Sequence, residues 1–135
     1  MPVIQTVTST DQLDRLLTES HRVPVWIFKH SLVCGVSGHA LSEFKRFVDA
    51  LDGDDPAHFA LVEIQQTPGI SAEVAERTGV RHESPQLIFL RNGAVVWEAS
   101  HWAIKRKSLE KALDQNVNRA FGTEGALGTG GEGAT

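Results

Sequence analysis

Residues 86–99, QLIFLRNGAVVWEA, constrain the fold more than any other stretch of the chain. Two runs rich in β-forming residues flank Asn92-Gly93, a pair that suits the two-residue turn of a β-hairpin. We therefore predict an antiparallel pair of strands in the last third of the chain. Pro85 precedes the first run directly, where a proline is tolerated because it removes no hydrogen bond from the middle of a strand. The sequence leaves the isomer of the Ser84–Pro85 bond open.

Before this hairpin, strand-like and helix-like patterns alternate. The apolar runs at residues 23–29 and 59–64 have few polar interruptions, as expected of strands that are buried on both faces. A shorter strand is predicted at residues 3–7. The first helix is predicted after Ser9, because Gln12 three residues later completes a capping-box pattern.

Three further helices follow from the spacing of apolar residues. They are predicted at residues 36–51, from Ser71 to Thr78, and from about Lys105 to Arg119. The resulting order is β-α-β-α-β-α-β-β-α. It predicts an α/β protein whose central mixed sheet combines parallel strands with an antiparallel C-terminal hairpin and is flanked by helices.

Composition limits the size of the folded unit and its partners. The chain has 135 residues, of which 41% are hydrophobic and 22% charged, and this fits one globular domain at residues 1–121. Residues 122–135 are rich in glycine with almost nothing apolar to bury, so we predict a disordered tail there. The net charge of −4 argues against nucleic acid as a main partner. No apolar run approaches the roughly 20 residues that span a bilayer, so no membrane partner is expected. The N-terminal residues lack a basic region followed by an apolar stretch, so no signal peptide is expected.

Cys34 is the only cysteine, so it has no partner for a disulfide within the chain. We therefore expect a reducing compartment, the cytoplasm. Cys34 follows a predicted strand and a short loop, and it stands where a helix begins. The free N–H groups of such a helix start, here those of Gly35, Val36 and Ser37, favour the thiolate, which is the nucleophilic form.

Lys29 and His30 lie near Cys34 in sequence and are further candidates to support the thiolate. The alternative for Cys34 is a small buried apolar side chain, which is how most free cysteines behave.

Ser37 stands three residues after Cys34, where a C-x-x-C motif has its second thiol. That second thiol attacks a mixed disulfide and releases the substrate, and a serine cannot do this. Two roles for Ser37 remain open. Its hydroxyl can donate a hydrogen bond to the thiolate, it can satisfy backbone N–H groups at the helix start, and the two roles are compatible.

Two segments resemble thioredoxins. Residues 24–37, PVWIFKHSLVCGVS, are similar to the strand and active-site loop of that family, and residues 77–96, RTGVRHESPQLIFLRNGAVV, are similar to its cis-proline segment and following hairpin. The resemblance implies a thioredoxin-like fold in which Pro85 is cis and faces Cys34. FKHS, C-x-x-S, ESPQ and VVW-x-ASHW together resemble the YtxJ-type monothiol bacilliredoxins over about residues 3–118.

The chain departs from these families in the active-site loop and in the strand before it. The YtxJ-type branch usually reads T-C-P-I-S, whereas here Gly35 follows Cys34. Thioredoxins carry a buried aspartate, which assists their second cysteine, at the place of Phe28. Its absence agrees with chemistry that uses one thiol.

The same register implies a substrate groove bordered by Ser84, Pro85, His101 and Trp102. A tryptophan that caps the core and a solvated histidine are the alternatives for the last two. Trp26 and Trp97 fall in predicted strands and are expected in the core. A histidine metal site is not expected, because no ligand spacing connects His21, His39, His58 and His82.

The resemblance implies a thiol-disulfide oxidoreductase that removes a low-molecular-weight thiol, bacillithiol, from protein mixed disulfides through Cys34 after oxidative stress. The implied partners are S-thiolated client proteins, the small thiol as co-substrate, and the system that reduces it, with no bound cofactor.

Two alternatives stay open. C-G-V-S differs by one residue from the C-G-F-S of monothiol glutaredoxins, which carry iron–sulfur clusters, although the Thr-Val-Pro and Gly-Gly-Cys/Asp segments of that family are missing. The other alternative is a non-catalytic module whose groove recognises a partner while Cys34 registers oxidation.

Overall fold

The secondary structure follows the predicted order. A computed structural model of the chain describes residues 3–51, 53 and 55–125. Its elements are β1 (Ile4–Thr6), α1 (Thr10–Glu19), β2 (Val25–His30), α2 (Gly35–Asp49), β3 (His58–Glu63), α3 (Pro68–Thr78), β4 (Gln86–Arg91), β5 (Ala94–Ser100), one turn of 3-10 helix (His101–Ala103) and α4 (Arg106–Gly125). In the part of the chain so described, no helix combines the length and the apolar character needed to cross a membrane.

The strands form one mixed sheet in the order β1-β3-β2-β4-β5. β3 pairs in parallel with both β1 and β2, whereas β4 runs antiparallel to β2 and to β5. The predicted combination of parallel strands with an antiparallel C-terminal hairpin is therefore confirmed. β2 lies at the centre, so the loop that follows it starts from the best-buried strand of the sheet.

Both faces of β2 are covered, which explains its nearly continuous apolar sequence. Trp26 and Phe28 face α2 and α4, where they pack in one core cluster. Val25 and Ile27 face α1 and α3 in a second cluster. As expected, Trp26 is fully buried; it stacks on Phe89 with 3.9 Å between ring centroids.

The hairpin turn is the predicted Asn92-Gly93 pair. Both residues have positive φ, 55° and 77°, as a two-residue turn of the hairpin type requires. Ser20, at the end of α1, holds this turn: its carbonyl accepts the N–H of Asn92, and its hydroxyl accepts the N–H of Gly93 at 3.0 Å. The ring of His21 packs so closely that a Cβ at position 93 would lie 2.5 Å from its Cε1 atom.

Two helix boundaries differ from the prediction. The helix predicted from Ser71 begins earlier, at Pro68, with Thr67 as its N-cap. Proline suits the first helical position because its fixed φ is helical and its missing N–H has no partner there in any case. The last helix continues past Arg119 to Gly125. Of the tail predicted at residues 122–135, the part from residue 126 onward lies outside the described residues.

Candidate active site

Cys34 is the N-cap residue of α2. Its backbone is extended, with φ −116° and ψ 121°, and its carbonyl accepts the N–H of Gly38 at 3.2 Å. Its side chain is partly exposed and makes no capping hydrogen bond. The predicted junction of strand, loop and helix is thereby confirmed, and the Cys34 thiol stands at the positive end of the helix dipole. The supporting roles of the Gly35 and Val36 N–H groups stay predictions.

Ser37 is fully buried in the first turn of α2. Its Oγ accepts the N–H of Ser31 at 2.9 Å and lies 2.7 Å from Nδ1 of His30. The serine at the place of a second thiol therefore holds the loop before Cys34 against the end of β2. Its proposed hydrogen bond to the thiolate stays a prediction.

His30 ends β2 and is only 9% exposed. Burial lowers its pKa, and the positive charge of Lys45 acts in the same direction, while Glu63 opposes them. The imidazole is therefore neutral near pH 7, and it supports the site through hydrogen bonding rather than charge. If Nδ1 accepts the Ser37 hydroxyl proton, that proton is not available to a thiolate.

Gln65 fixes the same loop from the other side. Its Oε1 accepts the N–H of Leu32 at 2.9 Å, and its Nε2 donates to Oγ of Ser31 at 2.9 Å. Sequence reasoning missed this residue. A sequence signal that could have found it is its position just beyond the carboxyl end of β3. Functional side chains gather at the edge of an α/β sheet where the strands have their carboxyl ends.

The opposite wall of the site carries Ser84 and Pro85, and the bond between them is cis. This isomer is the one implied by the resemblance to thioredoxins. The β2–β4 ladder ends with Lys29 opposite Gln86, and the same register continued by two residues would set Pro85 and Ser84 level with His30 and Ser31. The predicted groove residues Ser84 and Pro85 are thus brought beside the loop that leads to Cys34.

The hydroxyl of Ser84 is buried without a hydrogen-bond partner among the described residues. Leaving such a buried group unpaired costs about 1–3 kcal/mol. The residue as a whole remains partly exposed.

His101 and Trp102 lie on the 3-10 turn after β5. His101 has a positive φ of 56°, uncommon for a residue with a side chain, and its N–H bonds the Pro85 carbonyl at 3.0 Å. Its Nε2 lies 3.8 Å from Oε1 of Glu83. Trp102 is 61% exposed, and its ring centroid lies 5.4 Å from that of His39 on α2. The turn therefore joins the proline loop to the helix that Cys34 caps.

Two apolar side chains of the active-site loop are also exposed. Leu32 is 48% exposed and Val33 84%, next to Cys34 in sequence. Together with Trp102 they make up three of the five large hydrophobic residues found exposed in the described part of the chain. Exposed apolar groups concentrated in this way mark a contact surface.

Lys29, the other candidate to support the Cys34 thiolate, contacts His82, and a role at the thiolate stays a prediction. It is fully buried on the face of the sheet that carries Val25 and Ile27, and its Nζ lies 3.1 Å from Nδ1 of His82. Burial lowers its pKa to about 8. Burial and the charge of Lys29 lower the pKa of His82 as well.

The described residues contain no group of three or more side chains that could hold a metal ion.

Comparisons with known proteins agree with this geometry. The model of a family described as monothiol bacilliredoxin BrxC matches residues 5–109. A solved structure described as an oxidoreductase with a thioredoxin fold is 32% identical, with a TM-score of 0.71, and the match covers 82% of this chain and 93% of that one.

Two thioredoxins share the fold at lower identity. The protein from Malassezia sympodialis is 23% identical with a TM-score of 0.67, covering 85% of this chain and 91% of that chain. The protein from Trypanosoma brucei brucei is 16% identical with a TM-score of 0.68, covering 87% and 93%. The predicted thioredoxin-like fold is therefore confirmed, and the chain belongs to the monothiol bacilliredoxin BrxC family of thiol oxidoreductases.

Proposed function

We propose that the protein is a YtxJ-type monothiol oxidoreductase that removes a low-molecular-weight thiol, bacillithiol, from protein mixed disulfides. One observation carries this proposal. Cys34 caps α2, while the position of a second thiol is filled by a buried serine whose oxygen is bonded to the loop. Such a site has a nucleophile but no resolving sulfur.

The reaction is a thiol–disulfide exchange. The Cys34 thiolate attacks the sulfur of the small thiol, and a new disulfide forms between them. The bond to the client sulfur breaks, and its electron pair leaves with the client thiolate, which then takes a proton from water. A second molecule of the small thiol, or a dithiol partner, attacks the new disulfide and restores Cys34.

The surface around Cys34 suits a protein client. Leu32 and Val33 are exposed directly before Cys34 in the chain, and Trp102 is exposed on the 3-10 turn, against His39 of α2. S-thiolated proteins are therefore the proposed partners, with the small thiol as co-substrate and its reducing system as the source of electrons. A working thiolate requires a reducing compartment, so we assign the reaction to the cytoplasm, as a response to oxidative stress.

The experiment that tests this function is transfer of the small thiol in a single turnover. A client peptide carrying bacillithiol in a mixed disulfide is mixed with the reduced protein, and mass spectrometry follows both partners. We expect free peptide and a Cys34 adduct that has gained the mass of bacillithiol. The Cys34→Ala variant is the control, and glutathione and cysteine conjugates of the same peptide report the choice of small thiol.

Two results would contradict the proposal. A brown protein with cluster absorbance after anaerobic purification, together with no transfer, would favour the iron–sulfur carrier. An intact peptide disulfide with slow alkylation of Cys34 at neutral pH would favour the non-catalytic module.

A further inference from the structure

Ser84 has an unpaired hydroxyl beside the site of exchange. Its Oγ is buried without a partner among the described residues, yet the residue is partly exposed. Because no hydrogen bond holds this rotamer, the hydroxyl can turn about χ1 to another staggered position without losing a bond. Continued past its last pair, Lys29 with Gln86, the β2–β4 register brings Ser84 level with Ser31, on the loop that ends at Cys34.

The exchange needs a donor that Ser37 is poorly placed to supply. As Cys34 attacks, negative charge grows on the sulfur that leaves, and a donor at that sulfur lowers the barrier. Ser37 already accepts the Ser31 N–H and contacts His30, and it is fully buried. Ser84 lies on the opposite wall, and its hydroxyl is not engaged.

We propose, building on the function above, that Ser84 is a catalytic residue whose hydroxyl donates a hydrogen bond to the departing client sulfur. The bond from Cys34 to the small-thiol sulfur forms as the bond to the client sulfur breaks. The electron pair moves to the client sulfur, and the Ser84 hydroxyl keeps its proton while donating. The unpaired hydroxyl of the resting site thus gains its acceptor only during the reaction, so the interaction favours the transition state over the free enzyme.

The test compares leaving groups. Single-turnover rate constants are measured for the thiolated client peptide and for cystamine, both of which release alkyl thiolates, and for a nitrobenzoate disulfide, whose aryl thiolate leaves without help. We expect Ser84→Ala to slow both alkyl reactions about tenfold and the aryl reaction less than about twofold. Ser84→Thr keeps a hydroxyl and should restore the alkyl rates. Ser42→Ala, at an exposed position of α2, is the matched control.

Alkylation of Cys34 by iodoacetamide separates a leaving-group role from a general effect on the nucleophile. We expect its rate and pH dependence to be the same in Ser84→Ala and the parent. Equal slowing of the alkyl and aryl reactions, slower alkylation, or unchanged alkyl rates would each overturn the role of Ser84. If the parent leaves the peptide disulfide intact but reacts with cystamine, the proposed function fails, and the cystamine and aryl rates still decide the role of Ser84.

Discussion

The hydroxyl of Ser37 lies 2.7 Å from Nδ1 of His30, and it also accepts the N–H of Ser31. The residue that replaces a second thiol therefore joins the first turn of α2 to the end of the central strand. Its replacement by alanine would leave a buried N–H and a buried ring nitrogen without partners.

We predict that Ser37→Ala lowers the free energy of unfolding by about 1–3 kcal/mol, because a buried group left unpaired loses its hydration without compensation. Urea denaturation of both proteins measures this difference. Ser42→Ala, on the exposed side of the same helix, should change the stability by much less. Equal stability of Ser37→Ala and the parent would show that the hydroxyl does not hold the loop.

Protonation of His30 should destabilise the fold in mild acid. Burial lowers the folded-state pKa of His30 below its ordinary 6.5, so the unfolded chain binds more protons as the pH falls below 6.5. Stability is then highest above pH 6.5 and declines toward the lowered folded-state pKa. His82, whose pKa is also lowered, adds to the decline.

Denaturation at pH 7.5 and 5.5 tests this in the parent, in His30→Gln and in His58→Gln. The loss of stability between the two values should be smaller in His30→Gln than in the parent. His58, whose side chain is 46% exposed, is the site of the control variant. The same loss in His30→Gln and the parent would exclude His30 as a source of acid sensitivity.

Lys29 imposes a cost on the folded state near neutral pH. Its pKa falls from 10.5 to about 8 on burial, which corresponds to about 3 kcal/mol of unfavourable free energy while the amine is charged. We expect Lys29→Met to be more stable than the parent at pH 7, because methionine fills similar space without a charge. The exposed substitution Lys107→Met should have little effect.

The stability difference between the parent and Lys29→Met should depend on pH. Between pH 8 and 10.5 the unfolded parent binds more protons than the folded parent, so the parent should gain stability as the pH rises through this window. Lys29→Met should lack that gain, and the two proteins should converge at high pH. A constant difference at all pH values would mean that packing, not charge, separates them.

Gly93 should not tolerate a side chain. Its φ of 77° is unfavourable for other residues, and a Cβ there would lie 2.5 Å from Cε1 of His21. We expect Gly93→Ala to lose about 1–2 kcal/mol from the backbone alone, plus the cost of displacing the ring. The double variant Gly93→Ala, His21→Ala should recover only the cost of displacing the ring. Gly69→Ala, where no atom lies within 4 Å of the added Cβ, should not destabilise.

Local patterns were sufficient to predict most of the fold. The Asn92-Gly93 turn and the Ser9 capping box each depend on neighbours within a few residues, and the structure has both. The predicted start of α3 at Ser71 is wrong, because the helix begins with Pro68 at its first position and Thr67 as its N-cap.

The candidate site was harder to predict, because its contacts connect residues that are distant in sequence. Gln65 reaches Ser31 from the next parallel strand, and His82 reaches Lys29 from the loop before β4. The unpaired hydroxyl of Ser84 depends on three-dimensional burial, which no sequence pattern encodes. The resemblance supplied the positions of Cys34 and Pro85 but not the partners around them.

Cys34 occupies an N-cap position where other residues would stabilise the helix better. A serine or aspartate there would accept a first-turn N–H and add about 1 kcal/mol to the stability of the helix, whereas the cysteine makes no such bond. Replacing Cys34 by one of these residues should therefore raise the stability of the helix. A chain that did not need the thiol would be more stable with such a capping residue, so a cysteine at this cap comes at a cost in stability.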